Sequence, residues 1–112
     1  MNRIKTLLAA SALVALPGLA AAQSFPEELV KRGEYMATAS DCVACHTAHG
    51  GTPMAGGLVM ASPVGDIVAT NITPSKRFGI GNYTEQQFAD ALRKGVRADG
   101  ANLYPAMPYT AY

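Results

Sequence analysis

The feature that most constrains the chain is the run Cys42-Val43-Ala44-Cys45-His46, which contains its only two cysteines. Two thiols separated by two residues match the spacing of the vinyl groups on neighbouring pyrroles of haem, to which they add as thioethers. The imidazole of the next residue then lies where it can ligate the iron. The run therefore predicts one covalently bound haem c, held by Cys42 and Cys45, with His46 as an axial iron ligand.

A Cys-x-x-Cys pair also has other interpretations. It is typical of a redox-active dithiol, but that site opens a helix within a βαβ pattern, and no such alternation surrounds residues 30 to 60. It is also typical of half a zinc site, but the remaining candidate ligands here, His46 and His49, are crowded against the cysteines. A simple pair of buried thiols is the third alternative. Haem attachment is the interpretation that best fits the motif and its surroundings.

The first residues predict export. Arg3 and Lys5 form a basic start, an apolar stretch follows from residue 7 to 19, and residues 20–22 are three alanines. We expect a signal peptide over residues 1–22, cleaved after Ala22; the alternative is an uncleaved N-terminal anchor. Covalent haem attachment takes place outside the bacterial inner membrane. The motif and the leader together predict a location in the periplasm, or on the periplasmic face of the inner membrane.

Cleavage leaves one small domain, residues 23–112. Removing Arg3 and Lys5 leaves seven basic and eight acidic residues, a formal charge of −1, so nothing indicates a nucleic-acid partner. About ninety residues with no tryptophan and many glycines and prolines make one small domain with a thin apolar core of its own. We expect a buried haem to supply the missing apolar interior.

Two helices are predicted, and the segment between them is rich in loops. The first begins at Pro26 and runs to about Ala39; the second is capped by Thr84 and ends before Gly95. Residues 47–83 contain repeated glycines and prolines, with one short strand pair expected near residues 58–61 and 67–72. We therefore expect an all-α domain of few helices, with long loops wrapped around the haem.

Met107 is the predicted second axial ligand. A methionine thioether from a loop well after the motif usually fills this position in electron carriers, and Met107 lies 61 residues after His46 between Pro105 and Pro108. The rivals fit less well, because they lie on the first helix or too close to the motif: Met36, Met54, Met60 and His49. With both axial positions filled, we expect an electron carrier and no catalytic residue.

The mature sequence resembles the first haem domain of the cytochrome c subunit of membrane-bound alcohol, gluconate and related sugar or polyol dehydrogenases. The resemblance rests on short blocks along residues 25–112: Arg32 to Tyr35, Asp41 to Thr47, Ala55 to Gly57, Thr70 to Pro74, Gly79 to Gly81, Ala91 to Val96 and Leu103 to Tyr109. It implies the same haem ligands, and a segment from Asn71 to Pro74 that lines the haem edge. It also implies transfer of electrons from a catalytic dehydrogenase subunit, alongside other cytochrome domains, to ubiquinone or another carrier, with membrane association through partners.

The chain departs from this family in length. It holds one haem motif and ends at Tyr112, just past the methionine loop. We therefore expect an incomplete cytochrome c domain that lacks the C-terminal helix. Two alternative functions stay open: an enzyme or sensor with a five-coordinate haem, if Met107 does not bind iron, and a non-functional truncated fragment that never loads haem.

Overall fold

A computed structural model describes residues 24–112. The predicted signal peptide, residues 1–22, lies outside the described residues. The elements in chain order are α1 (Glu27–Ala39), α2 (Cys42–His46), β1 (Val59–Ser62), β2 (Gly65–Val68), α3 (Glu85–Lys94) and a 3-10 helix (Tyr109–Ala111). Three short helices and a two-stranded antiparallel sheet make a mixed fold, so the prediction of an all-α domain is wrong.

The sheet that overturns the all-α prediction is a tight hairpin. Val59 pairs with Val68 and Ser62 pairs with Gly65, so two residues form the turn. The Ser62 hydroxyl donates to the Gly65 carbonyl over 2.6 Å and fixes that turn. β-branched residues such as Val59, Ile67 and Val68 favour extended backbone. The predicted strand pair is confirmed near its expected place, but β2 ends earlier than expected.

The first helix agrees with its prediction, and its end positions α2. α1 begins after Pro26 and has Glu27 and Glu28 in its first turn, where their charges favour the positive end of the helix dipole. The helix ends because Asp41 adopts a left-handed conformation with φ of 54°. α2 begins at the next residue, Cys42. The haem motif thus starts directly after a sharp bend between two helices.

The cap of α3 was also predicted correctly. The Gln87 amide donates to the Thr84 hydroxyl over 3.2 Å, and the Gln87 side chain accepts from the Thr84 amide over 2.9 Å. This reciprocal pair satisfies two of the free amides at the helix start. Gly95 ends the helix with a φ of 64°, in the left-handed region that glycine adopts without strain.

The described residues have almost no interior of their own. Within residues 24–112 no hydrophobic side chain is buried, and Phe78 and Val64 are 68% and 75% exposed. The two buried residues in this range are Gly56 and Gly95. None of the helices in the described range has the length and apolar character of a membrane span. The apolar side chains of this segment therefore do not pack into a core against one another.

Candidate haem site

α2 presents all three residues of the motif together. Cys45 and His46 follow Cys42 by three and four positions, the spacings that place each of them beside Cys42 on the helix surface. Cys42 is half-buried and Cys45 is exposed, and both are free thiols. His46 ends the helix and is half-buried. Two accessible sulfurs and one imidazole on a single short helix are a donor set suited to haem attachment.

The ring of His46 is held by a backbone carbonyl. Nδ1 of His46 lies 2.8 Å from the carbonyl oxygen of Thr70. Because a carbonyl oxygen only accepts, the Nδ1 atom carries the proton and donates it. This leaves the Nε2 lone pair of the neutral ring free to bind a metal ion, and the hydrogen bond makes the ring a more basic ligand. Thr70 thus selects the tautomer that an iron ligand needs.

The backbone around His46 is tied to the loop that follows α2. The Gly56 amide donates to the His46 carbonyl over 2.7 Å, and the Ala48 amide donates to the Gly56 carbonyl over 3.1 Å. The Thr47 hydroxyl accepts from the Met54 amide over 3.0 Å. Residues 47–56 therefore fold back beside the end of α2. The loop supports both the main chain and the orientation of the predicted ligand.

The segment that carries the Thr70 carbonyl is stiffened by its own side chains. The Asn71 carboxamide oxygen accepts from the Thr73 amide over 2.9 Å and from the Thr73 hydroxyl over 2.6 Å. The Ile72 amide donates to the Met54 carbonyl over 2.9 Å. The bond from Ile72 to Met54 joins this segment to the loop of residues 47–56 that follows His46. The resemblance gave residues 71–74 a place at the haem edge, and their hydrogen bonds fix the turn that directly follows Thr70.

Met107 lies on a loop that is closed at its base. The Leu103 amide donates to the Gly95 carbonyl over 2.7 Å, which ties the loop to the end of α3. The Tyr109 hydroxyl donates to the Tyr104 carbonyl over 2.9 Å and links the two sides of the loop. Burial raises the pKa of Tyr109, so its hydroxyl keeps the proton that it donates. Met107 is half-buried between these anchors.

The methionine loop and the haem motif belong to different segments, and one hydrogen bond connects the residues that follow the loop to those that precede the motif. The Tyr112 hydroxyl donates to the Ser40 carbonyl over 3.2 Å, and Ser40 lies two residues before Cys42. Tyr104 also faces the hairpin across a cleft of about 270 Å³, lined on the other side by residues 64–68. The structure therefore brings the three motif residues together on α2, while the axial role of Met107 stays a prediction.

The sequence is similar to the cytochrome subunits of several bacterial dehydrogenases. The chain is 58% identical to the cytochrome c subunit of the quinone alcohol dehydrogenase of Gluconobacter oxydans, over 95% of this chain and 22% of that protein. It is 59% identical to the gluconate 2-dehydrogenase cytochrome c subunit of Pantoea cypripedii, over 77% of this chain and 20% of that protein. It is 62% identical to the fructose dehydrogenase cytochrome subunit of Gluconobacter japonicus, over 74% of this chain and 17% of that protein.

With the motif on α2, these similarities make the chain a c-type cytochrome sequence. More particularly, it belongs to the family of cytochrome c subunits of alcohol, gluconate and fructose dehydrogenases, which confirms the resemblance. It spans about a fifth of the length of these relatives. No family model matches the chain. The cofactor that this family implies is haem c.

Two contributors to the site were not identified from the sequence. Thr70 and Gly56 lie within blocks that carried the resemblance, yet neither had an assigned role. Thr70 acts through its carbonyl oxygen, a group that every residue possesses, so its side chain gives no signal. The pair Gly56-Gly57 marks a turn in the sequence. Only the fold shows that Gly56 lies directly against Thr70.

Proposed function

We propose that the chain is a c-type haem electron carrier. Cys42 and Cys45 hold one haem through thioether bonds, His46 provides one axial ligand through Nε2, and Met107 provides the other. The observation that carries this proposal is the hydrogen bond from Nδ1 of His46 to the Thr70 carbonyl. It prepares the imidazole as a ligand on the same short helix that presents both thiols.

The exposed apolar side chains support the same proposal. Residues 24–112 bury none of their hydrophobic side chains against one another. A domain of this length that folds around its own core buries roughly 60% of the surface of its unfolded chain. A haem is a large flat apolar partner for such a chain. The hairpin and the loop that carries Tyr104 face each other across a cleft, and in this proposal they form part of the surroundings of the haem.

The residues of the chain account for a carrier and not for an enzyme. When bound, haem supplies the Fe(III)/Fe(II) couple. His46 and Met107 would hold the iron, and a haem held by both would leave no position for a substrate. The Thr70 carbonyl would increase the basicity of His46 as a ligand and favour Fe(III), whereas the thioether of Met107 would favour Fe(II). The closed loops around both ligands limit their movement between the two oxidation states.

The partners follow from the family. Residues 1–22 direct export, and residues 23–112 act as a single haem domain in the periplasm or on the periplasmic face of the inner membrane. The electron donor is a catalytic dehydrogenase subunit that oxidises an alcohol, a sugar or a sugar acid, as the names of the relatives suggest. Other cytochrome domains share the transfer, ubiquinone or another carrier receives the electrons, and membrane association occurs through these partners.

A haem stain tests this proposal directly. The full chain is expressed in a bacterium with a haem-attachment system, and its periplasmic fraction is stained for haem on a denaturing gel. We expect a stained band that disappears in the Cys42→Ala, Cys45→Ala double variant. His49→Ala, which changes the other histidine, keeps both the stain and the low-spin spectrum. A colourless wild-type band that reacts as two free thiols would refute covalent haem attachment.

A further inference from the structure

We propose that Gly56 is a positioning residue for the iron ligand His46. It holds the Thr70 carbonyl at the distance that orients the imidazole, and this inference rests on the proposed haem function. The hydrogen bond of the ring goes to Thr70, and that of Gly56 goes to the main-chain carbonyl of His46. The effect of Gly56 passes through the backbone of Thr70, so its removal should change the electronic properties of the site as well as its stability.

The packing of Gly56 against Thr70 admits no side chain. Gly56 is buried and has a φ of 72°. A Cβ atom at this position would lie 2.5 Å from the carbonyl carbon of Thr70 and 2.6 Å from its oxygen. It would also lie 2.6 Å from the carbonyl oxygen of Ala69. All three are backbone atoms, so a side chain at residue 56 must displace the peptide whose oxygen accepts from His46.

Gly56 contacts the ligand residue by a second route. Its own amide donates to the His46 carbonyl over 2.7 Å, while the carbonyl beside it receives the ring Nδ1 proton over 2.8 Å. One residue therefore fixes both the main chain of His46 and the acceptor of its side chain. The bond to Thr70 is lost when the two atoms separate beyond about 3.5 Å. A displacement of less than one ångström is enough, because the bond starts at 2.8 Å.

Loss of this hydrogen bond has a defined electronic consequence. A metal-bound histidine that donates its other N–H to a carbonyl is a more basic ligand. The more basic ligand stabilises the higher oxidation state of the metal. Displacement of the Thr70 carbonyl should therefore raise the reduction potential. If Gly56 only stabilised the fold, its replacement would lower the unfolding temperature without raising the reduction potential.

Gly57 provides a matched control. It also has a positive φ, 84°, so alanine is strained at either position. A Cβ at Gly57 would meet only the Cβ of Ala48, at an ordinary distance of 3.6 Å. Gly57→Ala therefore carries the conformational penalty without the collision with Thr70. The difference between Gly56→Ala and Gly57→Ala isolates the effect on the carbonyl.

The test compares haem-loaded wild type, Gly56→Ala and Gly57→Ala. Spectroelectrochemistry gives the midpoint potential, and proton NMR of the reduced protein gives the exchange rate of the His46 Nδ1 proton. We expect Gly56→Ala to have a higher potential than the other two and an Nδ1 proton that exchanges about two- to tenfold faster, the range expected for one lost net hydrogen bond. Equal potentials and exchange rates in Gly56→Ala and Gly57→Ala overturn the inference.

A second variant decides the case if Gly56→Ala does not accumulate with haem. Asn71→Ala removes the acceptor of two hydrogen bonds from Thr73 and loosens the turn directly after Thr70, without adding an atom at residue 56. A raised potential in this variant supports positioning by the Thr70 carbonyl, and a wild-type potential overturns it. An unstained wild type instead refutes the proposed function itself and leaves Gly56 no ligand to position.

Discussion

Gly95→Ala should destabilise the chain more than Gly100→Ala, because both glycines have a positive φ but differ in their surroundings. Gly95 has a φ of 64° and Gly100 a φ of 85°. A Cβ at Gly95 would lie 3.0 Å from two carbon atoms of the Tyr109 ring, whereas a Cβ at Gly100 would meet nothing within 4 Å. Gly100→Ala therefore measures the cost of conformation alone.

The expected magnitudes follow from this difference. A left-handed conformation costs an L-residue about 1–2 kcal/mol, and this cost applies to both variants. At Gly95 the Tyr109 ring must also move by a few tenths of an ångström. That movement weakens the bond from the Tyr109 hydroxyl to the Tyr104 carbonyl, a net contribution of about 0.5–1.5 kcal/mol. We expect a loss of about 1.5–3.5 kcal/mol for Gly95→Ala and of about 1–2 kcal/mol for Gly100→Ala.

Thermal unfolding of the haem-loaded protein measures both losses. Each kcal/mol corresponds to about 4–8 °C in Tm for a domain of this size, so the additional loss of about 0.5–1.5 kcal/mol should place the Tm of Gly95→Ala about 2–12 °C below that of Gly100→Ala. Because Tyr109 closes the loop that carries Met107, Gly95→Ala should also weaken the thioether-to-iron charge-transfer band of the oxidised spectrum. Equal melting temperatures and equal bands in the two variants would show that a side chain at residue 95 does not displace the Tyr109 ring.

Three further outcomes are expected. Met107→Leu should abolish the charge-transfer band and permit binding of carbon monoxide to the reduced protein, while Met36→Leu changes neither; a band that persists in Met107→Leu would assign the ligand elsewhere. Thr84→Ala removes the acceptor for the Gln87 amide and should cost about 1 kcal/mol in urea unfolding, with Thr52→Ala as a loop control. The hydrogen-bonded Arg97 guanidinium lowers the pKa of Asp99 to about 2, so the stabilisation from this pair is present above about pH 4 and is lost as the pH falls through about 2. Asp99→Asn should remove that part of the acid dependence of Tm, and an unchanged acid limb would contradict it.

The helices were predictable because their signals are local. The boundaries of α1 follow from Pro26 and the acidic first turn, and those of α3 follow from the Thr84 cap and Gly95. Each signal acts within one or two turns of backbone, so it does not depend on distant parts of the chain. The haem motif is equally local, since all its donors lie within the five residues of α2.

The fold class and the support of His46 depended on distant contacts. The sequence predicts the strand pair, but the glycines and prolines on both sides of it indicate loops, and the predicted fold class is therefore all-α. In the structure, β1 and β2 form a hairpin in which Val59 pairs with Val68. The Thr70 carbonyl lies 24 residues from the histidine that it orients, and its role depends on a peptide oxygen with no residue preference. No local pattern contains that information.

The two buried residues of the described range, Gly56 and Gly95, both lie beside groups that support predicted iron ligands. Gly56 lies against the peptide that receives the His46 proton, and Gly95 lies against the ring that closes the Met107 loop. Each is thus one contact removed from a group that holds a predicted iron ligand. The hydrophobic side chains of residues 24–112 remain exposed to different degrees, whereas a methyl group at Gly56 would collide with the Thr70 peptide and one at Gly95 would press on the Tyr109 ring. Both buried residues of this range therefore lie next to groups that hold predicted ligands, as expected if the proposed haem supplies the apolar interior.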